Sequence, residues 1–154
     1  MRTLLLSIAA ALACLLMAGC RGDDHGRVVF SAFRSIEPAG WRFTDTLRIP
    51  LHEMTDTAAV RGDVAVTVRH SVEYPYSNLW LEVILPADTV AASIELADVF
   101  GSWHGHGMGL TYELTDTILR DVTLSPADTL LLHHLMRVDT VSGLEQLGIF
   151  FIAR

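Results

Sequence analysis

Lysine is missing from this 154-residue chain and cysteine nearly so: all 11 basic residues are arginine, and the 2 cysteines are Cys14 and Cys20. Against 18 carboxylates the arginines leave a formal charge of −7. That balance excludes a strongly basic nucleic-acid binder. With both cysteines at the front, the chain after Cys20 can form no disulfide, no thiolate metal site and no cysteine nucleophile. Also lacking is any long segment that keeps apolar residues at helical spacing. No apolar run reaches the roughly 20 residues of a membrane-spanning helix.

What apolar character there is sits unevenly. Of the first 19 residues 15 are apolar, so the overall hydrophobic content of 51% overstates how oily the rest is. One positive charge at Arg2, an apolar stretch from Leu4 to Ala18, and small residues Ala18 and Gly19 before Cys20 predict a secretory signal over residues 1–19. Leu16-Met17-Ala18-Gly19-Cys20 resembles a bacterial lipobox, with Met17 where leucine is preferred. The expectation is cleavage before Cys20 and acylation of its sulfur. One acyl chain binds a membrane marginally, whereas two or three hold firmly. Residues 20–27 then form a lipidated tether, and Asp23-Asp24 within it weakly resembles the acidic signals of surface-exported lipoproteins. Residues 28–154 are left as one domain, long enough for a core without staples. Without Arg2 the mature chain carries about −8.

From Val28 the sequence alternates in short segments broken by turn residues, which predicts an all-β fold. Val64, Val66 and Val68 share a face, as do Leu79, Leu81, Val83 and Leu85, and Leu110, Tyr112 and Leu114. Further segments are 28–33, 41–51, 94–100, 118–124, 130–138 and 147–153, with 51–60 an irregular connection. About nine strands with one apolar face each predict an antiparallel β-sandwich or jelly roll. Arg-Gly-Asp at 21–23 and 61–63 is expected to be turn chemistry.

Asp-Thr followed by an apolar residue occurs six times, beginning at Asp45, Asp56, Asp88, Asp116, Asp128 and Asp139. Asp favours a turn and β-branched Thr the strand after it. The pattern also resembles the O-glycosylation sequon of Bacteroidota, which makes Thr46, Thr57, Thr89, Thr117, Thr129 and Thr140 candidate sugar sites.

Two loops stand out. Arg69 to Trp80 (RHSVEYPYSNLW) reads as a strand end, an aromatic loop and a new strand. Its aromatic flanks raise a cis Tyr74–Pro75 bond as an expectation. Gly101 to Gly109 (GSWHGHGMG) spaces glycines around Trp103, without the lysine or helix of a phosphate loop. His104 and His106 could share a metal with His133 and His134, but lacking a carboxylate or cysteine at set spacing they read as surface histidines. No triad or carboxylate pair can be nominated, so the reading is a non-enzyme with no cofactor and no metal. Tyr74, Tyr76, Trp80 and Trp103 are candidate partner anchors, since aromatics dominate interface hot spots; they are equally candidates for the core.

The lipobox, Tyr74-Pro75-Tyr76-Ser77-Asn78-Leu79-Trp80, Gly101-x-Trp103-x-Gly105-x-Gly107, Met136-Arg137 and the stretch from Gly143-Leu144 to Gly148-Ile149 resemble the GldH family of gliding-motility lipoproteins of Bacteroidota. The resemblance implies a non-catalytic envelope lipoprotein. It would be anchored through Cys20 at the outer membrane, partnered with the gliding machinery and linked to type IX secretion. Fold analogy offers a competing class, a surface carbohydrate-binding β-sandwich lipoprotein stacking sugars on exposed aromatics.

Overall fold

The computed structural model describes residues 26–154. The leader, Cys20 and nearly all of the tether lie outside the described residues. The strands are β1 (Arg27–Ser35), β2 (Trp41–Arg42), β3 (Leu47–Pro50), β4 (Val60–Ser71), β5 (Asn78–Ile84), β6 (Thr89–Glu95), β7 (His106–Met108), β8 (Thr111–Leu124), β9 (Thr129–His134), β10 (Thr140–Val141) and β11 (Leu144–Ala153). They form an all-β, sandwich-like fold. A five-stranded sheet runs β1-β11-β4-β8-β7 and a four-stranded sheet β3-β9-β5-β6, with β10-β2 as a short ribbon. All pairings are antiparallel.

The core follows from the alternation. Val64, Val66, Val68, Leu147, Ile149 and Phe151 from the larger sheet are sealed with Leu79, Leu81, Val83, Ile94, Leu130 and Leu132 from the smaller. Each such side chain stabilises the fold by about 1.5–3 kcal/mol through removal from water. The other face of β4 is covered as well. Ala65 and Thr67 are buried, and the Thr67 hydroxyl meets that of Thr115 on β8 at 2.6 Å. Phe33 lies over Gly148, where a Cβ would come within 2.5 Å of its ring, and meets Phe150 edge-on at 5.5 Å.

Five sequence expectations change in detail. The segments 110–115 and 118–124 are one strand, β8, because Asp116-Thr117 does not turn but pairs with Val66 and Ala65. The register against β4 shifts just after it, between Thr117 and Leu119, and again between Leu119 and Val122, where Asp121 has a left-handed φ of 63°. The segment 94–100 is mostly loop, since the Asp98 carboxylate accepts the N–H groups of Phe100 and Ser102 and so closes a turn in place of a ladder. The segment 41–51 splits into β2 and β3 around a turn in which Trp41 Nε1 donates to the Asp45 carbonyl. The Tyr74–Pro75 bond is trans. Segment 51–60 is irregular, pinned where the Arg27 guanidinium grips Asp56 at 2.8 Å.

Arg61-Gly62-Asp63 is no turn; it lies in β4, beside register shifts against β8. Arg61 pairs with Asp121, and Asp63 accepts the Asp121 N–H at 2.8 Å and Arg154 at 3.0 Å. Gly62 approaches β11 so closely that a Cβ would stand 2.3 Å from the Ile152 carbonyl oxygen. These three residues hold the bulge that the left-handed Asp121 creates.

Candidate functional site

At one pole of the sandwich β4 ends, β5 and β8 begin, and the two distinctive loops meet. The Ser71 N–H donates to Gly143, Val72 to Leu110, and Leu96 and Ala97 to Ser77. Under them sits His70, fully buried, with Trp103 at 4.5 Å, Tyr74 at 5.4 Å and Tyr112 stacked at 6.1 Å between ring centroids. Its Nδ1 bonds to the Ser71 carbonyl at 2.9 Å, while Nε2 has no partner among the described residues. Burial lowers the pKa of His70, so the ring is held neutral.

This arrangement divides the four aromatic candidates. Tyr74 is a core residue, 3% exposed, its hydroxyl donating to the Asn78 carbonyl at 2.9 Å and its pKa pushed up by burial. Trp103 packs half-buried on His70, joined to Ala97 by an isolated bridge. Gly105 lets that loop return: its φ is +82° and a Cβ would stand 2.1 Å from the Glu113 carbonyl oxygen. Trp80 is exposed and Tyr76 half-buried against the core. They are brought together along a groove of about 650 Å³ on the smaller sheet, with Ala91, Met136, Arg137 and Val138 completing its walls.

The groove is built by a strap. Leu135 N–H donates to the Trp80 carbonyl at 2.8 Å, and Trp80 N–H reaches the Met136 sulfur at 3.4 Å. Tyr76 leans edge-on against buried Tyr74 at 5.6 Å, so the groove is backed by the core. Its surface is apolar with one charge, Arg137, and no carboxylate or amide side chain lines it. It can therefore bury apolar side chains and meet an anion, but it offers no acid–base pair. The Met136-Arg137 signal in the sequence pointed to this wall; Ala91 and Val138, ordinary strand and turn residues, carried none.

The histidines do not converge. His106 is on β7 at the edge of the larger sheet, whereas His133 and His134 are on β9 in the smaller. His134 is sealed between Trp41 at 5.4 Å and Phe43 at 5.8 Å, with its pKa lowered by burial. Among the described residues no three His, Cys, Asp or Glu side chains group as metal ligands. No helix among them is long and apolar enough to cross a membrane.

Of the Asp-Thr threonines, Thr46, Thr57, Thr89 and Thr140 are exposed and Thr117 and Thr129 half-buried. Thr89, Thr129 and Thr140 open β6, β9 and β10, and Thr46 stands just before β3. The aspartates shape these starts: Asp88 accepts the Thr89 N–H at 2.8 Å, and Asp128 the Ser125 N–H at 2.7 Å.

Comparison with solved structures finds similarity to a Cry1Da tryptic core variant from Bacillus thuringiensis, at 18% identity and a TM-score of 0.44. It covers 75% of this chain, which spans 18% of that one. A family 35 carbohydrate-binding module from Clostridium thermocellum is similar at 12% identity and a TM-score of 0.36, covering 86% of this chain and 81% of that one. An exo-beta-1,3-galactanase from Phanerochaete chrysosporium is similar at 10% identity and a TM-score of 0.39, covering 82% and 27%. Likenesses this shallow carry no argument about ligand or reaction. No curated protein matches. The model of the GldH lipoprotein family, by contrast, matches residues 28–150, nearly all of the sandwich and both loops that build this pole. The chain belongs to the GldH lipoprotein family and is a lipid-anchored envelope lipoprotein of that type, a family of lipoproteins and not of enzymes.

Proposed function

We propose that this protein is cut before Cys20, acylated there, and held at the outer membrane as a non-catalytic component of the gliding machinery, with a link to type IX secretion. The observation that carries this reading is the family match over residues 28–150, which includes the aromatic loop and the Trp103 loop. The groove of Tyr76, Trp80 and Met136 supports a binding role, because it is apolar, backed by rigid strands and open to solvent. A rigid scaffold with apolar walls and one arginine suits an apolar protein segment with an acidic flank. The absence of carboxylate and amide side chains from its walls fits poorly with a sugar, whose hydroxyls need such partners.

The test is affinity capture of the native lipoprotein from its own envelope, with mass spectrometry of its companions and of the N-terminal peptide. The expected result is a diacylated or triacylated Cys20 and companions from the gliding or secretion apparatus, lost on Trp80→Ala without loss of fold. An unmodified leader, or glycan-array binding that depends on Trp80 with no such companions, would overturn it.

A further inference from the structure

Beyond the groove, the structure carries a second surface that the aromatic residues of the sequence do not reveal. Nine large hydrophobic side chains are exposed among the described residues, and five of them stand on one pole: Val72, Val99, Phe100, Met108 and Leu110. Phe100 and Val99 are 90% and 93% exposed, and Met108 and Leu110 74% each. Val72 follows β4, Val99 and Phe100 lie in the loop after β6, Met108 ends β7 and Leu110 lies in the turn to β8. Hydrogen bonds and the His70 ring cluster tie these loops together at this pole.

The apolar tips are held out by construction. Asp98 accepts the N–H groups of Phe100 and Ser102 at 2.8 and 2.9 Å through one carboxylate oxygen, its carbonyl accepts Gly101, and its own N–H donates to Ser102. That closed turn leaves Val99 and Phe100 no core to fold into. Val72 donates to the Leu110 carbonyl at 2.8 Å, which fixes the second tip against the first loop. Exposed apolar side chains gathered at one end of a protein mark a contact surface.

Two observations choose the occupant. The first is polarity. Arg27 pairs with Ala153 and Ala153 with Gly62, so the chain enters at the opposite pole from His70 and Leu144. Ten residues of β11 separate the two ends by about 30 Å. The six steps from Cys20 to Gly26 reach at most about 22 Å. An acylated Cys20 therefore cannot share a leaflet with these tips when they point at the bilayer head-on. The second is charge. Glu73 follows Val72, Asp98 precedes Val99 and Glu145 accepts the Thr111 hydroxyl beside Leu110, whereas Arg69, the arginine next to Met108, is tied to Glu113. An acidic rim is repelled by anionic headgroups.

We infer that this pole is a docking face for a protein whose surface offers an apolar socket rimmed by arginine or lysine, on the side of the domain away from its lipid anchor. The orientation rests on acylation at Cys20, the reading above. Rim complementarity steers and orients, while the buried tips supply affinity.

The experiment uses the full-length protein in its own envelope, with a photo-crosslinking amino acid replacing Phe100, Leu110 or, as control, Ala87, exposed in the turn before β6 at the other pole. The expected result is one protein adduct common to positions 100 and 110, at least tenfold above position 87, whose cross-linked peptide contains a basic residue beside apolar ones. Val99→Asp combined with the probe at 110 should lower its yield at least tenfold with an unchanged melting temperature, because Val99 is in solvent. Raised salt should lower the yield too. Adducts with lipid only, with a second copy of this chain, or equal at all three positions would overturn the inference, as would no adduct at 100 and 110. The N-terminal peptide mass from the same sample reports the anchor separately, so failure of the anchor and failure of the interface give different results.

Discussion

His70 and His134 are the residues at which burial and polarity conflict most. Both are fully buried, and three of their four ring nitrogens have no partner among the described residues. Burial lowers the pKa of each, so the folded protein binds fewer protons than the unfolded chain once pH falls below about 6.5, the value for free imidazole. Stability is then full above that pH, declines as pH drops through it, and levels off below the folded pKa values. Urea unfolding should show a constant midpoint between pH 7 and 8 and a lower one at pH 5.5. His134→Leu should flatten that slope, since it removes a buried ring whose charged form is disfavoured. A His134→Leu protein with the original acid slope would place the titration elsewhere. The aspartates act lower on the scale. Hydrogen bonds from the Arg61 guanidinium to Asp121 and from the Asp121 and Ser102 N–H groups to Asp63 and Asp98 hold these carboxyls below the usual range. Their contribution is present above about pH 3.9 and is lost as pH falls through the depressed values.

Gly105 and Asp121 share a left-handed backbone but differ in what surrounds them. Gly105→Ala would place a Cβ against a strand carbonyl at φ +82°. A loss of about 2 kcal/mol or more is expected in thermal or urea unfolding. Asp121 is exposed, so Asp121→Gly exchanges its Arg61 pair for relief of φ and should change stability less than Gly105→Ala does. Asp121→Val keeps the strain and loses the pair, and its cost should exceed that of the glycine variant.

At the scale of the element, the strands were legible wherever one face was apolar. Val64-Val66-Val68 and Leu79-Leu81-Val83 are buried as their alternation requires. What alternation could not show was where turn chemistry is overruled. Asp88, Asp128 and Asp139 each stand one residue before a strand, but Asp116 has the same sequence context and continues through one, because it and Thr117 pair with Val66 and Ala65 of β4. Local preference yields there to pairing, as strand propensity does generally. The reverse holds at Asp98, where side-chain acceptors compete successfully with a ladder and end β6 at Glu95. Asp98→Ala should loosen that turn while leaving the sandwich intact. Hydrogen exchange would show faster exchange of the Phe100 and Ser102 amides only; protection unchanged at both would mean that the turn is held by its backbone bonds alone. The site was legible in part. Tyr76 and Trp80 were visible as aromatics, but that Tyr74 packs inward on His70 while Tyr76 stays half-buried at the groove is set by packing that no local pattern shows. The tips were misplaced by pattern: Leu110 alternates with Tyr112 and Leu114, and Val99 and Phe100 fall in the segment 94–100, yet all three are exposed, since exposure of an apolar residue is a property of the fold and not of its neighbours in sequence.

For the whole molecule, the decisive asymmetry is that the described chain enters at one pole while its apolar tips and the buried His70 ring lie at the other. The β1 ladder to β11 begins at Arg27, and among the described residues the core starts at Val29. On the reading that Cys20 is the anchor, anchoring and folding should be separable. Cys20→Ser should move the protein from the membrane to the soluble fraction of lysed cells, because every acyl chain added there contributes about 0.8 kcal/mol per buried CH₂ and its removal leaves a domain of net negative charge. The released protein should keep its far-ultraviolet spectrum and melt within about 2 °C of the parent, since every core side chain among the described residues is unchanged. Cross-linking through positions 100 and 110 should also survive at raised protein concentration, and only its efficiency at native levels should drop, the tether having set the local concentration of the docking pole. If the Cys20→Ser protein instead stayed in the membrane fraction, the sulfur would not be the anchor; if it left the membrane but melted markedly lower, the lipid would be part of the fold, contrary to the independence of sandwich and tether argued from β1.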